Sequence, residues 1–224
     1  MSPMELITTG DGSHSLFLPE LGETYHSRHG AIQESQHVFI NHGLRYWLEK
    51  NQNSNIVVFE VGFGTGLNAW LTIQVARQER LHVTYLSIEA YPIQREVWSQ
   101  LNYAPQDDAF KLLHEAPWNT SVTIDEYFTL HKIHGKLEAQ SMPTGVDVVF
   151  YDAFAPSKQP EMWSFPILEK VCAAMSATGV FVTYCAKGQL KRDLRALGLS
   201  LDTLQGPPGK KEMVRASRTI GSAV

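Results

Sequence analysis

The chain has 224 residues, 43% of them hydrophobic, enough to bury a full core within one domain spanning 1–224, with residues 1–50 open to reading as an N-terminal extension. No run approaches the roughly 20 uninterrupted apolar residues of a bilayer span, and Met1 to Glu20 lacks the basic-then-apolar order of a signal peptide, so a cytoplasmic protein is expected. The net charge of -4 counts on average against a nucleic-acid partner, but eight basic residues against three acids from Lys187 onward give that segment +5 and the remainder -9.

In chain order, short strands or loop are expected around Ser15–Leu18 and Thr24–His26, then a helix from about Ile32 to Lys50. Asn55 to Glu60, with Ile-Val-Val-Phe at its centre, reads as a fully buried strand, and Gly66 to Arg77 as the helix leaving it. Val83 to Glu89 is the next strand, Tyr91 to Leu101 and Asp107 to His114 are helical, and Val122 to Leu137 suggests a hairpin turning near Asp125-Glu126. Val146 to Tyr151 is another buried strand, ending at Asp152 and a proline-punctuated loop. A helix from Ser164 to Met175, a strand from Val180 to Tyr184 and a basic helix from Gly188 to Leu197 follow. The last strands, Leu199 to Leu204 and Met213 to Ile220, flank the turn Gly206-Pro207-Pro208-Gly209. Alternating strands and helices predict an α/β fold, Rossmann-like, with a mostly parallel sheet and an antiparallel C-terminal hairpin, the pattern of class I S-adenosylmethionine-dependent methyltransferases. Cys172 and Cys185 lie in apolar surroundings, in no metal-ligand or redox spacing, and read as reduced, buried thiols.

Strand, glycine turn, helix is the order a nucleotide site needs. Here the turn is Glu60-Val61-Gly62-Phe63-Gly64-Thr65-Gly66, followed by Leu67-Asn68. A dinucleotide fingerprint would put its third glycine at position 67, which is leucine. The departure favours S-adenosylmethionine, which has no pyrophosphate and carries a cationic sulfonium and amino group that Glu60 can face. Glu89 ends the second buried strand 23 residues beyond Gly66, where a carboxylate can accept from both ribose hydroxyls. The cofactor-binding set is therefore Glu60, Gly62, Gly64, Thr65, Gly66, Asn68 and Glu89.

Asp152 ends a strand on the same edge as the glycine loop, so its carboxylate should point into the cofactor cleft. Phe154 and Trp163 offer flat faces on which a planar base could stack, or else pack as core beneath the loop. His26, His29, His37 and His42 are too loosely spaced for a metal site, and none is expected.

Three runs together resemble the methyltransferase half of the MnmC-type tRNA wobble-uridine modification enzymes: Glu60 to Asn68, the loop Asp152-Ala-Phe-Ala-Pro-x-x-x-Pro-Glu-Met-Trp163, and Gly206-x-x-Gly-Lys-x-Glu-Met213. Glu23 to Ser27, Gly30-Ala31, Glu34-Ser35 and Val38 to Ile40 are also similar, so the likeness covers nearly the whole chain. It implies methyl transfer from S-adenosylmethionine to the amine of 5-aminomethyl-(2-thio)uridine at the tRNA wobble position, giving the 5-methylaminomethyl product. The fused members carry a flavin-dependent oxidase domain that this sequence lacks, so only the methyl-transfer step is expected. Many relatives have Gly-Asp where Gly135-Lys136 stands, and Lys136 cannot take that acid's place near the adenine.

An alkylammonium has a pKa of roughly 10, so the acceptor must lose a proton before it attacks. Asp152 is the candidate to orient the amine and accept that proton; binding the cofactor's amino group alone is the other role open to it. Lys187, Lys191, Arg192, Lys210, Lys211 and Arg215 would meet anticodon-stem phosphates. The likeness at the amino terminus hints that Glu34 or Tyr25 reaches the cofactor. Two rivals remain at this level: a methyltransferase of the same fold acting on a small amine or protein, and a nucleotide-binding module without chemistry. Polyamine synthases share the fold but transfer an aminopropyl group, and the Asp152 to Trp163 loop favours methyl transfer.

Overall fold

The computed structural model describes residues 4–104 and 106–218. Strands β1 (Glu5–Thr8), β2 (His14–Leu18) and β3 (Glu23–Thr24) form a small antiparallel sheet. The main sheet comprises β4 (Asn55–Val61), β5 (His82–Glu89), β6 (Ser121–Asp125), β7 (Phe128–His134), β8 (Val146–Tyr151), β9 (Met175–Thr183), β10 (Leu199–Gln205) and β11 (Glu212–Arg218), in the order β10-β11-β9-β8-β4-β5-β7-β6. Pairs β4–β5, β4–β8, β5–β7 and β8–β9 are parallel, whereas the β10–β11 hairpin, its junction with β9, and β6–β7 are antiparallel.

Both faces of the central strands are covered, which is why they read as continuous apolar runs. Val58, Tyr85, Val148, Phe150 and Val182 face the core under helices 31–50 and Leu67–Glu79. Phe59, Val61, Val149, Tyr151 and Phe181 face the core under helices Phe165–Ala174 and Gly188–Ala196. Neighbours in sequence alternate between the two cores, the period of two that a pleated strand imposes.

The fold class and most elements match the sequence expectations, with three differences. Helix 31–50 is continuous, but Gln36–Arg45 is wound as π-helix. It lies close on the sheet at Gly43, where an added Cβ would stand 2.8 Å from Val182 Cγ2. The expected helix Tyr91 to Leu101 shrinks to Arg95–Trp98. Pro92 disfavours helical backbone at Tyr91, and Gln94 is extended (φ -76, ψ 158). Strand β9 starts at Met175 instead of Val180, because Met175 pairs with Val146 ahead of a bulge. The last strand is described to Arg218, so its expected end at Ile220 lies outside the described residues.

Helix 31–50 begins at Gly30, which has no side chain to cap it. The turn 9–13 does so from outside: Thr9 Oγ1 and Ser13 Oγ accept from Ala31 N–H (3.1 and 3.2 Å), and Asp11 Oδ2 from Gln33 N–H (2.9 Å). This external cap fixes the first turn and with it Glu34. Among the described residues no helix is long and apolar enough to cross a membrane.

Candidate active site

The carboxyl ends of β4, β5 and β8 meet at the glycine loop. Gly62, Gly64 and Gly66 all have positive φ (91°, 48° and 72°), which explains three glycines in five positions. Gly62 N–H donates to Ile88 O (2.9 Å) and Asp152 N–H to Val61 O (3.1 Å), tying the loop to both neighbouring strands. Side chains at these positions would also be crowded: a Cβ at Gly64 stands 3.1 Å from the Tyr25 ring, a tight contact, and one at Gly66 would clash with His114 Nε2 at 2.9 Å.

Beneath the loop, Asn68 joins two acids. Its Nδ2 donates to Glu60 Oε1 (3.0 Å) and to Asp152 Oδ2 (2.9 Å), while its buried Oδ1 has no donor. Glu60 is only 1% exposed and also accepts from Ser87 Oγ (2.8 Å). Burial pushes its carboxyl up to about 8, with the nearby Asp152 charge adding to the rise against the bonds from Ser87 and Asn68. Glu60 is thus sealed in the floor and linked to Asp152 through Asn68. Asp152 is half-buried beside the glycine loop. Burial and the Glu34 charge push it up to about 7, against the Asn68 bond and Lys210.

Glu89 closes the other side. Its Oε2 accepts from Gly64 N–H (3.1 Å) and its Oε1 from Tyr91 N–H (2.8 Å). A carboxylate has about four lone-pair directions, so each oxygen keeps one for a diol. Thr65 is buried; its hydroxyl lies 3.4 Å from His26 Nε2 and its carbonyl accepts from His114 Nε2 (3.1 Å). Burial lowers His26 to about 4 and His114 to about 3, so both rings are neutral at pH 7.

Phe154 is half-buried and meets the Tyr25 ring edge-on, centroids 5.2 Å apart, beside the glycine loop. Trp163 is 8% exposed and packs against Tyr151; its indole N–H donates to Phe154 O (2.8 Å) and so pins the loop. Trp163 also borders a cavity of about 160 Å³ with Pro156, Pro160, Lys187, Gln189 and Leu190. The basic residues divide. Lys191 pairs with Glu212 (2.7 Å), Lys210 with Glu34 (2.5 Å) and Arg215 with Asp202 (2.9 Å), whereas Lys187, Arg192 and Lys211 are exposed. Glu212 and Asp202 are already subtracted in the +5, so only the Lys210–Glu34 pair lowers the net charge free to meet a partner, by one. Lys136 is exposed, Cys172 and Cys185 are buried free thiols, and His37 and His42 stack edge-on at 4.7 Å.

Four further residues belong to the site. His114 buttresses the glycine loop, Tyr25 covers it, and Glu34 and Tyr184 flank Asp152, the latter through its hydroxyl to Ala153 O (2.7 Å). Position gave a hint only for Tyr25 and Glu34, within the amino-terminal likeness.

A family model described as S-adenosyl-L-methionine-dependent methyltransferase matches residues 111–219. That stretch, just under half of the chain, is similar to the S-adenosylmethionine-dependent methyltransferases. The chain is 30% identical over 235 residues to the tRNA 5-methylaminomethyl-2-thiouridine biosynthesis bifunctional protein MnmC of Cupriavidus metallidurans, across 96% of this chain and 34% of that protein. To the protein of the same name from Pseudoalteromonas atlantica it is 31% identical over 219 residues, 86% of this chain and 30% of that one. The chain thus spans about a third of the length of these curated relatives. Among solved structures, MnmC2 of Aquifex aeolicus superposes with TM-score 0.82 at 26% identity, over 98% of this chain and 71% of that one. Spermidine synthase of Thermotoga maritima (TM-score 0.55, 13% identity, 98% and 73% covered) shares the fold alone.

The residues present fit the cofactor of this family. Three glycines at positive φ keep the turn at the strand ends free of side chains, Glu89 keeps lone pairs free, and the Asn68 Oδ1 acceptor lacks a donor. S-adenosylmethionine is the methyltransferase's cofactor.

Proposed function

We propose that this methyltransferase N-methylates 5-aminomethyl-(2-thio)uridine at the wobble position of tRNA, forming 5-methylaminomethyl-(2-thio)uridine, in the cytoplasm. The observation that carries the reading is Asp152: a half-buried carboxyl held by Asn68 beside the glycine loop and pushed up to about 7. The names of the MnmC relatives supply the tRNA substrate class.

When bound, S-adenosylmethionine supplies an electrophilic methyl group on a cationic sulfonium. Gly62, Gly64, Thr65, Gly66 and Asn68 would hold it, with Glu60 as the buried anchor of Asn68 and Glu89 accepting from the ribose hydroxyls. Asp152 would take the proton that the acceptor ammonium must lose before its nitrogen can bond to the methyl carbon, the sulfur–methyl bond breaking to leave S-adenosylhomocysteine. A carboxyl near 7 is better matched to that task at neutral pH than an ordinary carboxylate near 4. Tyr25 and Phe154 would keep water from the reacting atoms, and alignment of amine and methyl would account for much of the acceleration. Phe154 would meet the target base, Trp163 would hold its loop in place, and Lys187, Arg192 and Lys211 would meet backbone phosphates. Lys191, Lys210 and Arg215 could join them only by giving up their present carboxylate partners. The chain would act as a single domain of 1–224, with residues 1–50 an N-terminal extension whose Tyr25 lies against the glycine loop.

The test is methyl transfer from labelled S-adenosylmethionine to tRNA lacking this modification, followed by nucleoside analysis. Label in 5-methylaminomethyl-(2-thio)uridine is expected. Label absent from tRNA but present on a small amine or protein would replace the substrate and leave the methyltransferase assignment standing.

A further inference from the structure

Lys210 sits on the turn between β10 and β11, 176 residues from Glu34, yet their side chains meet at 2.5 Å. Its ammonium also lies 3.7 Å from the centre of the Tyr184 ring. The host is well built. Glu34 is 5% exposed, and its second oxygen accepts from Ser27 N–H (2.6 Å). Tyr184 is fixed by its bond to Ala153 O, next to Asp152 (2.7 Å). A buried carboxylate facing an aromatic ring is the arrangement that recognises an ammonium.

We propose that Glu34 and the face of Tyr184 form a primary-alkylammonium subsite beside Asp152, which the chain's own Lys210 fills until a ligand ammonium takes its place. Lys210 is itself a primary amine on a methylene, the same headgroup as an aminomethyl acceptor and close to the α-ammonium of the cofactor. Exchanging one ammonium for another leaves Glu34 paired throughout, so the cost of stranding a buried carboxylate is never incurred. The Lys210 side chain is 32% exposed, against 7% for Glu34, so the lysine enters from the solvent side and can leave by it. Once displaced, it is free to meet an anionic partner. The subsite rests on reading the acceptor as an amine, but its test uses no tRNA.

The probe is propylammonium, with propanol as the neutral control, titrated into the full chain and followed by saturation-transfer NMR. Lys210→Met should bind propylammonium at least about tenfold tighter than the unsubstituted chain, the size of one desolvated cation–aromatic contact, and propanol no better. Adding Glu34→Gln should abolish the gain. Saturating S-adenosylhomocysteine separates the two sources: binding that survives it assigns the subsite to the acceptor amine, and binding that it abolishes assigns it to the cofactor's amino end. Equal binding by Lys210→Met and the unsubstituted chain overturns the proposal, with Lys210→Gln as the alternative variant if Lys210→Met does not melt cooperatively. In the unsubstituted chain the Lys210 side-chain ¹⁵N resonance should move as probe is added; a resonance that stays fixed at saturating probe also overturns it. Because the probe is not a tRNA, failure to methylate tRNA leaves this result intact, and failure here leaves the tRNA assay intact.

Discussion

Two buried ionisable clusters flank the glycine loop, one acidic and one basic. On the acidic side Glu60, Asn68 and Asp152 form a chain that ends beside the glycine loop, with one acceptor left without a donor. On the basic side Lys132, 1% exposed, donates to His114 O (2.8 Å) and lies 4.6 Å from the Trp118 ring centre and 5.1 Å from that of Phe63. Burial drives both clusters toward their neutral forms, lowering Lys132 to about 8 as it raises Asp152 to about 7. Perturbed titration alone therefore does not mark a functional group. Asp152 is distinguished by its partial exposure beside the glycine loop, whereas Lys132 is enclosed by rings and a carbonyl.

The sharpest test of that contrast is Asp152→Asn against Lys132→Met. Asp152→Asn should lower kcat by about 10²–10⁴-fold, the range for loss of a positioned proton acceptor, while S-adenosylhomocysteine binding by calorimetry changes little. Loss of cofactor binding in step with kcat would instead make Asp152 a cofactor ligand. Lys132→Met should keep kcat within a few-fold and change the pH dependence of stability. A lysine whose folded pKa lies below its unfolded value penalises folding while protonated. The unsubstituted chain should therefore gain stability relative to the variant as pH rises from about 8 to 10.5, by an amount on the order of 3 kcal/mol. Parallel denaturation curves across that window would place Lys132 in water.

Gly66→Ala should come next, with a loss of about 1–3 kcal/mol in thermal or urea unfolding, because φ +72 strains an alanine and its Cβ would stand 2.9 Å from His114 Nε2. The smallest effect is expected from Glu89→Gln, which keeps the shape but weakens acceptance from the ribose and from Gly64 N–H. Cofactor Kd should rise about tenfold with kcat at saturation nearly unchanged. An unaltered Kd would remove Glu89 from the cofactor contacts.

Much of the site is local in sequence and legible for that reason. Positive φ at Gly62, Gly64 and Gly66 requires glycine, and two adjacent parallel strands deliver Asp152 and the glycine loop to one edge, so pattern and topology together bring them into contact. The same reasoning treated Glu60 as facing the cofactor, and only the packing of Ser87 and Asn68 around it shows that it lies in the floor. Trp163 could be read equally as platform or core; its 8% exposure and its bond to Phe154 O make it the support of the loop. The basic carboxyl-terminal count likewise could not reveal which charges are spent on internal carboxylates.

What sequence by itself determined is therefore the α/β alternation, the strand–glycine–helix unit, the acid at the end of β5 and the aspartate loop, each written within a few residues. Only the tertiary structure decided that His114 braces Thr65, that Tyr25 covers Gly64, and that Glu34 and Lys210 meet across 176 residues beside Tyr184. The physical reason is range. Backbone conformation and strand periodicity are set by near neighbours, whereas the partner of a buried charge is chosen by whatever distant segment arrives with a matching group once the core has closed.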